Sequence, residues 1–183
     1  KKQFKENVLE ICEIVEGPVS AEVIAQDAEG MLKEAAEITS WADNIAVKIP
    51  MCPEGMKATK KLSADGVKVN VTLVFSLPQA LIAAKAGAAF ISPFIGRIDD
   101  IGYDGMELVE DVVDMIDIYG FDSEVIAASI RSIPHVVQSI QCGAHIATVP
   151  YAVLMKLFKH PLTDKGNENF LKDWNNAGLG NII

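Results

Sequence analysis

Short apolar runs alternate with helix-length segments along nearly the whole of this sequence, and that alternation restricts the fold more than any other feature. The runs at residues 18–24, 44–50, 67–75, 89–94, 124–130 and 145–149 are rich in Val, Ile or Ala and bounded by Gly, Pro, Asn or Asp, which predicts six strands. Helices are expected between them at 28–41, 54–64, 77–86, 102–119, 133–141 and 152–158, with a leading helix at 4–15. A further amphipathic segment, 163–176, carries Phe170 and Trp174, and the 176–183 tail reads as poorly ordered. Pro53, Pro78 and Pro134 suit a first helical turn, where a missing N–H is tolerated, and Ser76 and Ser132 stand where they can cap. Gly66, Gly87, Gly120 and Gly143 fall just past helix ends, the usual place for a left-handed residue.

Strands apolar on both faces, joined by short connections to helices, predict a parallel sheet with helices outside. An open doubly wound sheet and a closed barrel both satisfy that pattern. Two features favour the barrel. No GxGxxG or P-loop fingerprint follows a strand, and polar residues cluster at strand C-terminal ends, where (β/α)8 barrels place their chemistry. Only six strands are counted, and the sequence starts at Lys1 rather than Met. The expectation is therefore an α/β fold, a (β/α)8 TIM barrel whose first two N-terminal strands are absent from this chain. One domain over 1–183 would hold strands three to eight and the C-terminal helix at 163–176.

Composition removes several classes of partner. Sixteen Lys and Arg against 25 Asp and Glu leave a net charge of −9, the wrong sign for a general nucleic-acid or anionic-membrane binder. The most apolar stretch, 80–91, is broken by Lys85 and Gly87 and falls short of the ~20 residues of a membrane span. No cleavable signal is visible. Cys12, Cys52 and Cys142 lack CxxC spacing, which predicts free thiols in a reducing, cytoplasmic setting.

Alternation along each strand selects the side chains facing a lumen. Val19, Ala21 and Val23 are expected outward, with Ser20 and Glu22 inward; Ile45, Val47 and Ile49 outward, with Ala46, Lys48 and Pro50 inward. Val69, Val71 and Leu73 are read as outward, and Asn70 with Thr72 as inward. Phe90, Ser92 and Phe94 share one face, Ala127, Ser129 and Arg131 another, and the last strand offers Ala144, Ile146 and Thr148. A lysine held among apolar walls is pushed toward its neutral amine, which condenses with a carbonyl to a Schiff base. Lys48 is the candidate; a snorkelling side chain or an ion pair with Glu22 is the other reading. Glu22 with Thr72 is placed to move the protons of carbinolamine formation and dehydration. Arg97 and Arg131 are the only arginines, and with Ser129 they suit phosphate, unless Asp99 and Asp100 engage Arg97 in surface ion pairs. His135, His145 and His160 show no HExxH pattern or close carboxylate, so no metal site is expected. Cys52 reads as a buried or loop thiol.

Five strings carry a family resemblance: Gly17-Pro18-Val19-Ser20-Ala21-Glu22-Val23, Val47-Lys48-Ile49-Pro50-Met51, Asn70-Val71-Thr72-Leu73-Val74-Phe75-Ser76, Ile91-Ser92-Pro93-Phe94-Ile95-Gly96-Arg97 and Ala127-Ala128-Ser129-Ile130-Arg131. In order and spacing, from about residue 5 to 174, they resemble the small transaldolase family, which includes the fructose-6-phosphate aldolases. The resemblance implies a class I aldolase-type barrel that needs no metal or organic cofactor. It implies Lys48 as the Schiff-base lysine, Glu22 and Thr72 as the pair positioning the catalytic water, and Asn70 and Ser92 as contacts to the ketose. Arg97, Ser129 and Arg131 match the phosphate-binding group. Fructose-6-phosphate aldolases of this family have Gln at the Glu22 position and Tyr at the Phe94 position, so the implied activity is transaldolase. That means transfer of a dihydroxyacetone unit from sedoheptulose 7-phosphate or fructose 6-phosphate to an aldose phosphate, in the non-oxidative pentose phosphate pathway. A fructose-6-phosphate aldolase or an inactive sugar-phosphate-binding fragment are the alternatives. The family's first-strand Asp and second-strand Asn match no residue here, and the segment bearing them is expected to be proteolysed, untraced or supplied separately. The resemblance also implies a homo-oligomer, pentamer or decamer, in which 163–176 reaches a neighbour or else folds back across its own barrel mouth.

Overall fold

The computed structural model describes residues 2–180 and contains, among them, a six-stranded parallel sheet interleaved with helices. The order is α1 (Lys2–Ile14), β1 (Val19–Glu22), α2 (Ala28–Thr39), β2 (Ile45–Pro50), α3 (Pro53–Ala64), β3 (Val69–Val74), α4 (Leu77–Ala86) and β4 (Phe90–Pro93). Then follow α5 (Ile95–Asp99), α6 (Gly105–Tyr119), β5 (Glu124–Ala127), α7 (Ile133–Gln141), β6 (Ile146–Ala147), α8 (Tyr151–Leu157) and α9 (Pro161–Asn176). The strands pair in sequence order from β1 to β6, and the sheet curls into an α/β half-barrel. β1 and β6 form its edges among the described residues.

Local chemistry sets the element ends. Ser76 and Ser132 accept hydrogen bonds from the Gln79 and His135 N–H groups, capping α4 and α7, each with Pro in its first turn. Gly87 and Gly120 close α4 and α6 in the left-handed region, at φ 90° and 62°. Cys52, expected as a buried or loop thiol, is half-buried and caps α3: its Sγ accepts from the Gly55 N–H at 3.3 Å. The segment expected as one helix over 102–119 starts at Gly105 instead, because Asp104 caps there, and the short α5 just after β4 escaped the periodicity.

The helix-facing side of the sheet is the main core. Val47, Ile49, Val69, Val71, Ile91 and Val125 are fully buried against α-helical residues such as Met31, Ala58, Ala80, Val109 and Val112. Each such aliphatic side chain contributes about 1.5–3 kcal/mol. The opposite face holds a second small cluster, Ala46, Phe90 and Ile126. Three expected orientations are corrected. Leu73 has φ 59°, the β3–β4 register shifts between Val71 and Val74, and Val74 rather than Leu73 joins the helix-side core. In β5 it is Ile126 that faces the lumen and Ala127 that packs under the helices. Ala144, just before β6, also packs on the helix side.

No helix among the described residues is long and apolar enough to cross a membrane. Part of the tail expected to be disordered, residues 181–183, lies outside the described residues. Up to Gly180 it is tied down, with the Trp174 indole N–H donating to the Gly180 carbonyl at 2.7 Å.

Candidate active site

Parallel register places the first two candidate residues side by side. Glu22 on β1 pairs with Lys48 on β2, which in turn pairs with Asn70 on β3. Lys48 lines a cavity of about 730 Å³ on the lumen face, together with Ser20, Asn70, Ser92, Phe94 and Ser129. Its Nζ lies 2.9 Å from Glu22 Oε2, with the two side chains 28% and 43% exposed. The amine is thus held by a carboxylate rather than sealed among apolar walls, and the ion-pair reading of Lys48 is the arrangement seen.

A polar chain runs beside it across three strands. The Asn70 amide donates to Ser20 Oγ at 3.0 Å, and the Ser92 hydroxyl donates to Asn70 Oδ1 at 2.7 Å. Ala46, opposite Ser20 on β2, is small enough to leave the bridge room. Asn70 and Ser92 are buried, so these bonds fix both groups in one orientation. Ser20 shares Glu22's face in the sequence pattern, but only the structure ties it to the others. Thr72 is buried too, and its Oγ1 has no hydrogen-bond partner among the described residues. That oxygen is sealed from solvent, and Thr72 is not among the residues lining the cavity beside Lys48 and Asn70.

The two arginines lie beyond the cavity wall. The Arg97 guanidinium stacks 5.3 Å from the centre of the Phe94 ring, and Phe94 meets Phe75 edge-on at 5.8 Å. Arg131 is gripped by both oxygens of Asp100, its Nη1 on Oδ1 and its Nη2 2.7 Å from Oδ2. That hydrogen-bonded guanidinium holds the Asp100 carboxyl below the usual aspartate range. Asp100, expected beside Arg97, therefore serves Arg131, and Asp99 pairs with His135, its Oδ2 3.1 Å from Nε2. His135 was expected to have no close carboxylate, because sequence distance hides this contact between α5 and α7. Ser129 reaches the cavity because its φ of 59° breaks strand alternation. Among the described residues no group of three His, Cys, Asp or Glu side chains is placed to hold a metal ion.

The chain is 59% identical over 173 residues to a probable transaldolase of Methanococcus maripaludis, covering 94% of this chain and 80% of the relative. A probable transaldolase of Clostridium acetobutylicum is 58% identical over 176 residues, covering 96% of this chain and 82% of the relative. One from Thermoanaerobacter sp. is 54% identical over 178 residues, covering 97% and 82%. The fold resembles the crystal structure of inosine 5′ monophosphate dehydrogenase from Legionella pneumophila, with a TM-score of 0.59 at 17% identity over 82% of this chain and 48% of that one. The family model described as transaldolase/fructose-6-phosphate aldolase matches residues 2–179, and this chain belongs to that family.

Proposed function

We propose that the chain is a transaldolase that moves a dihydroxyacetone unit from a ketose phosphate, sedoheptulose 7-phosphate or fructose 6-phosphate, to an aldose phosphate. Its place is the non-oxidative pentose phosphate pathway of the cytoplasm. The observation that carries this reading is the Glu22–Lys48 pair at the lumen, a lysine in contact with a carboxylate able to take its proton. The freed amine adds to C2 of the ketose, and loss of water gives an iminium. With the C4 hydroxyl passing its proton to water, the C3–C4 electrons flow into the iminium, and the aldose phosphate departs. The enamine left on Lys48 attacks the acceptor aldehyde, and hydrolysis frees the product and the lysine.

The other residues have matching roles in this reading. Glu22 and Thr72 move protons through water during dehydration and hydrolysis. Asn70 and Ser92 hold donor hydroxyls. Arg97, Ser129 and Arg131 bind the phosphate, which fixes the reacting carbons relative to Lys48. Phe94 has no hydroxyl to protonate the enamine, which therefore persists until an acceptor arrives. The iminium is the electron sink, so this sequence of steps calls on neither metal nor organic cofactor.

The proposed partners are the sugar phosphates and other copies of this chain, in a pentamer or decamer. No side chain of α9 is buried, and Leu162, Phe170 and Leu171 are exposed, which supports contact with a neighbour rather than folding back over the mouth. Supplying fructose 6-phosphate and erythrose 4-phosphate tests the activity. The expected product is sedoheptulose 7-phosphate, with little free dihydroxyacetone when the acceptor is omitted. Rapid dihydroxyacetone release would instead assign an aldolase, and donor binding without turnover would reduce the chain to a sugar-phosphate binder.

A further inference from the structure

The residues assigned to phosphate stand on two separate turns, Arg97 in α5 and Ser129 with Arg131 between β5 and α7. Two backbone hydrogen bonds stitch these turns together, Ile95 N–H to Ala128 O at 3.0 Å and Gly96 N–H to Ser129 O at 3.2 Å. A second set of contacts braces them. Asp99, the last residue of α5, accepts the Gly105 N–H on Oδ1 at 2.9 Å, which anchors its carboxylate to the start of α6. Its Oδ2 lies 3.1 Å from Nε2 of His135 on α7. Nδ1 of the same ring accepts the Arg131 backbone N–H at 3.3 Å. A nitrogen that accepts carries no proton, so the imidazole proton sits on Nε2 and is donated to Asp99. Each oxygen of the carboxylate and each nitrogen of the ring is used once.

We propose that Asp99 and His135 are positioning residues that set where Arg131 and Ser129 stand relative to Arg97, and so determine preference for phosphorylated over unphosphorylated ketoses. The inference rests on the phosphate reading of Arg97, Ser129 and Arg131 given above. Asp100 adds to the same brace: it holds the Arg131 guanidinium while His135 holds the Arg131 main chain, so both ends of the residue are tied to the end of α5. Asp99 determines the tautomer. The two donors approach different oxygens of the Asp99 carboxylate, and Asp99→Asn turns one of those oxygens into an NH2 donor, so one of the two contacts is lost.

The test measures kcat and KM for fructose 6-phosphate and for fructose, with glyceraldehyde as acceptor so that the donor carries the only phosphate. His135→Gln keeps a donor for Asp99 but places no acceptor at Nδ1. It is expected to raise KM for fructose 6-phosphate about tenfold, the scale of one lost hydrogen bond, with kcat and the fructose KM nearly unchanged. His135→Asn keeps an oxygen where Nδ1 stands and is expected to restore most of the affinity. Should His135→Gln unfold at assay temperature, Asp99→Asn decides, with the same selective rise expected. An unchanged KM, or equal rises for both donors, would overturn the proposal while leaving the phosphate site intact. A wild-type chain indifferent to the donor phosphate would overturn the phosphate reading itself.

Discussion

Lys48 and Glu22 meet because register pairs them directly across two parallel strands, while the grip of Asp100 on Arg131 depends on turns that no strand pattern describes. The latter makes a pH prediction. The folded Asp100 carboxyl titrates below its ordinary value, mainly through its hydrogen bonds to Arg131. The pair's contribution is therefore complete above the ordinary aspartate pKa of about 3.9 and lost as pH falls through the lower folded value. Asp100→Asn should melt below wild type at pH 7, and that gap should close only once pH drops under about 4. A gap closing already between pH 7 and 5 would contradict the assignment. Ser129 makes a second prediction. Ser129→Gly should stabilise the fold by about 1 kcal/mol in urea unfolding, because glycine adopts positive φ without strain, while KM for the phosphorylated donor rises from the lost hydroxyl. At this scale alternation correctly put Lys48, Asn70 and Ser92 on the lumen. It failed at Leu73 and Ala127, the first because the chain enters the left-handed region, the second because the inward parity of β5 runs through Ile126 and reaches Ser129 only by a left-handed residue.

Every helix expected from apolar spacing is present, whereas the five-residue α5, with no sustained period of its own, was not legible. Yet α5 carries Arg97, Asp99 and the close approach that joins the two turns proposed to bind phosphate. Gly96 is the tightest point. A Cβ there would lie 2.6 Å from both the Ser129 carbonyl oxygen and Arg131 Nε, far inside van der Waals contact. Gly96→Ala must push α5 away from the β5–α7 turn. The expected loss is about 2–3 kcal/mol in equilibrium unfolding, with a raised KM for the phosphorylated donor. A variant as stable as wild type would show that the turns are not so closely joined. The sheet explains why these turns meet: β4 and β5 are neighbours, so their C-terminal ends lie side by side.

For the molecule as a whole, βα alternation left a doubly wound sheet and a barrel both open, and the polar residues at strand ends pointed to the sequential strand order that the sheet has. The alternation did not tell which helix would bury no side chain among the described residues. α9 buries none of its side chains, and Phe170 and Leu171 stand 74% and 63% exposed. Phe170→Asp with Leu171→Asp should shift the chain to a smaller species in sedimentation velocity while leaving its far-ultraviolet spectrum unchanged. An unaltered distribution would remove α9 from the contact between copies. In the proposed reaction the cavity, the polar chain and the two arginines serve one covalent event at Lys48. Borohydride added during turnover of fructose 6-phosphate, followed by peptide mass mapping, tests that event most directly. One reduced three-carbon unit on Lys48, absent when Lys48 is replaced by Met, is the predicted result; label on another lysine, or none despite turnover, would contradict the account.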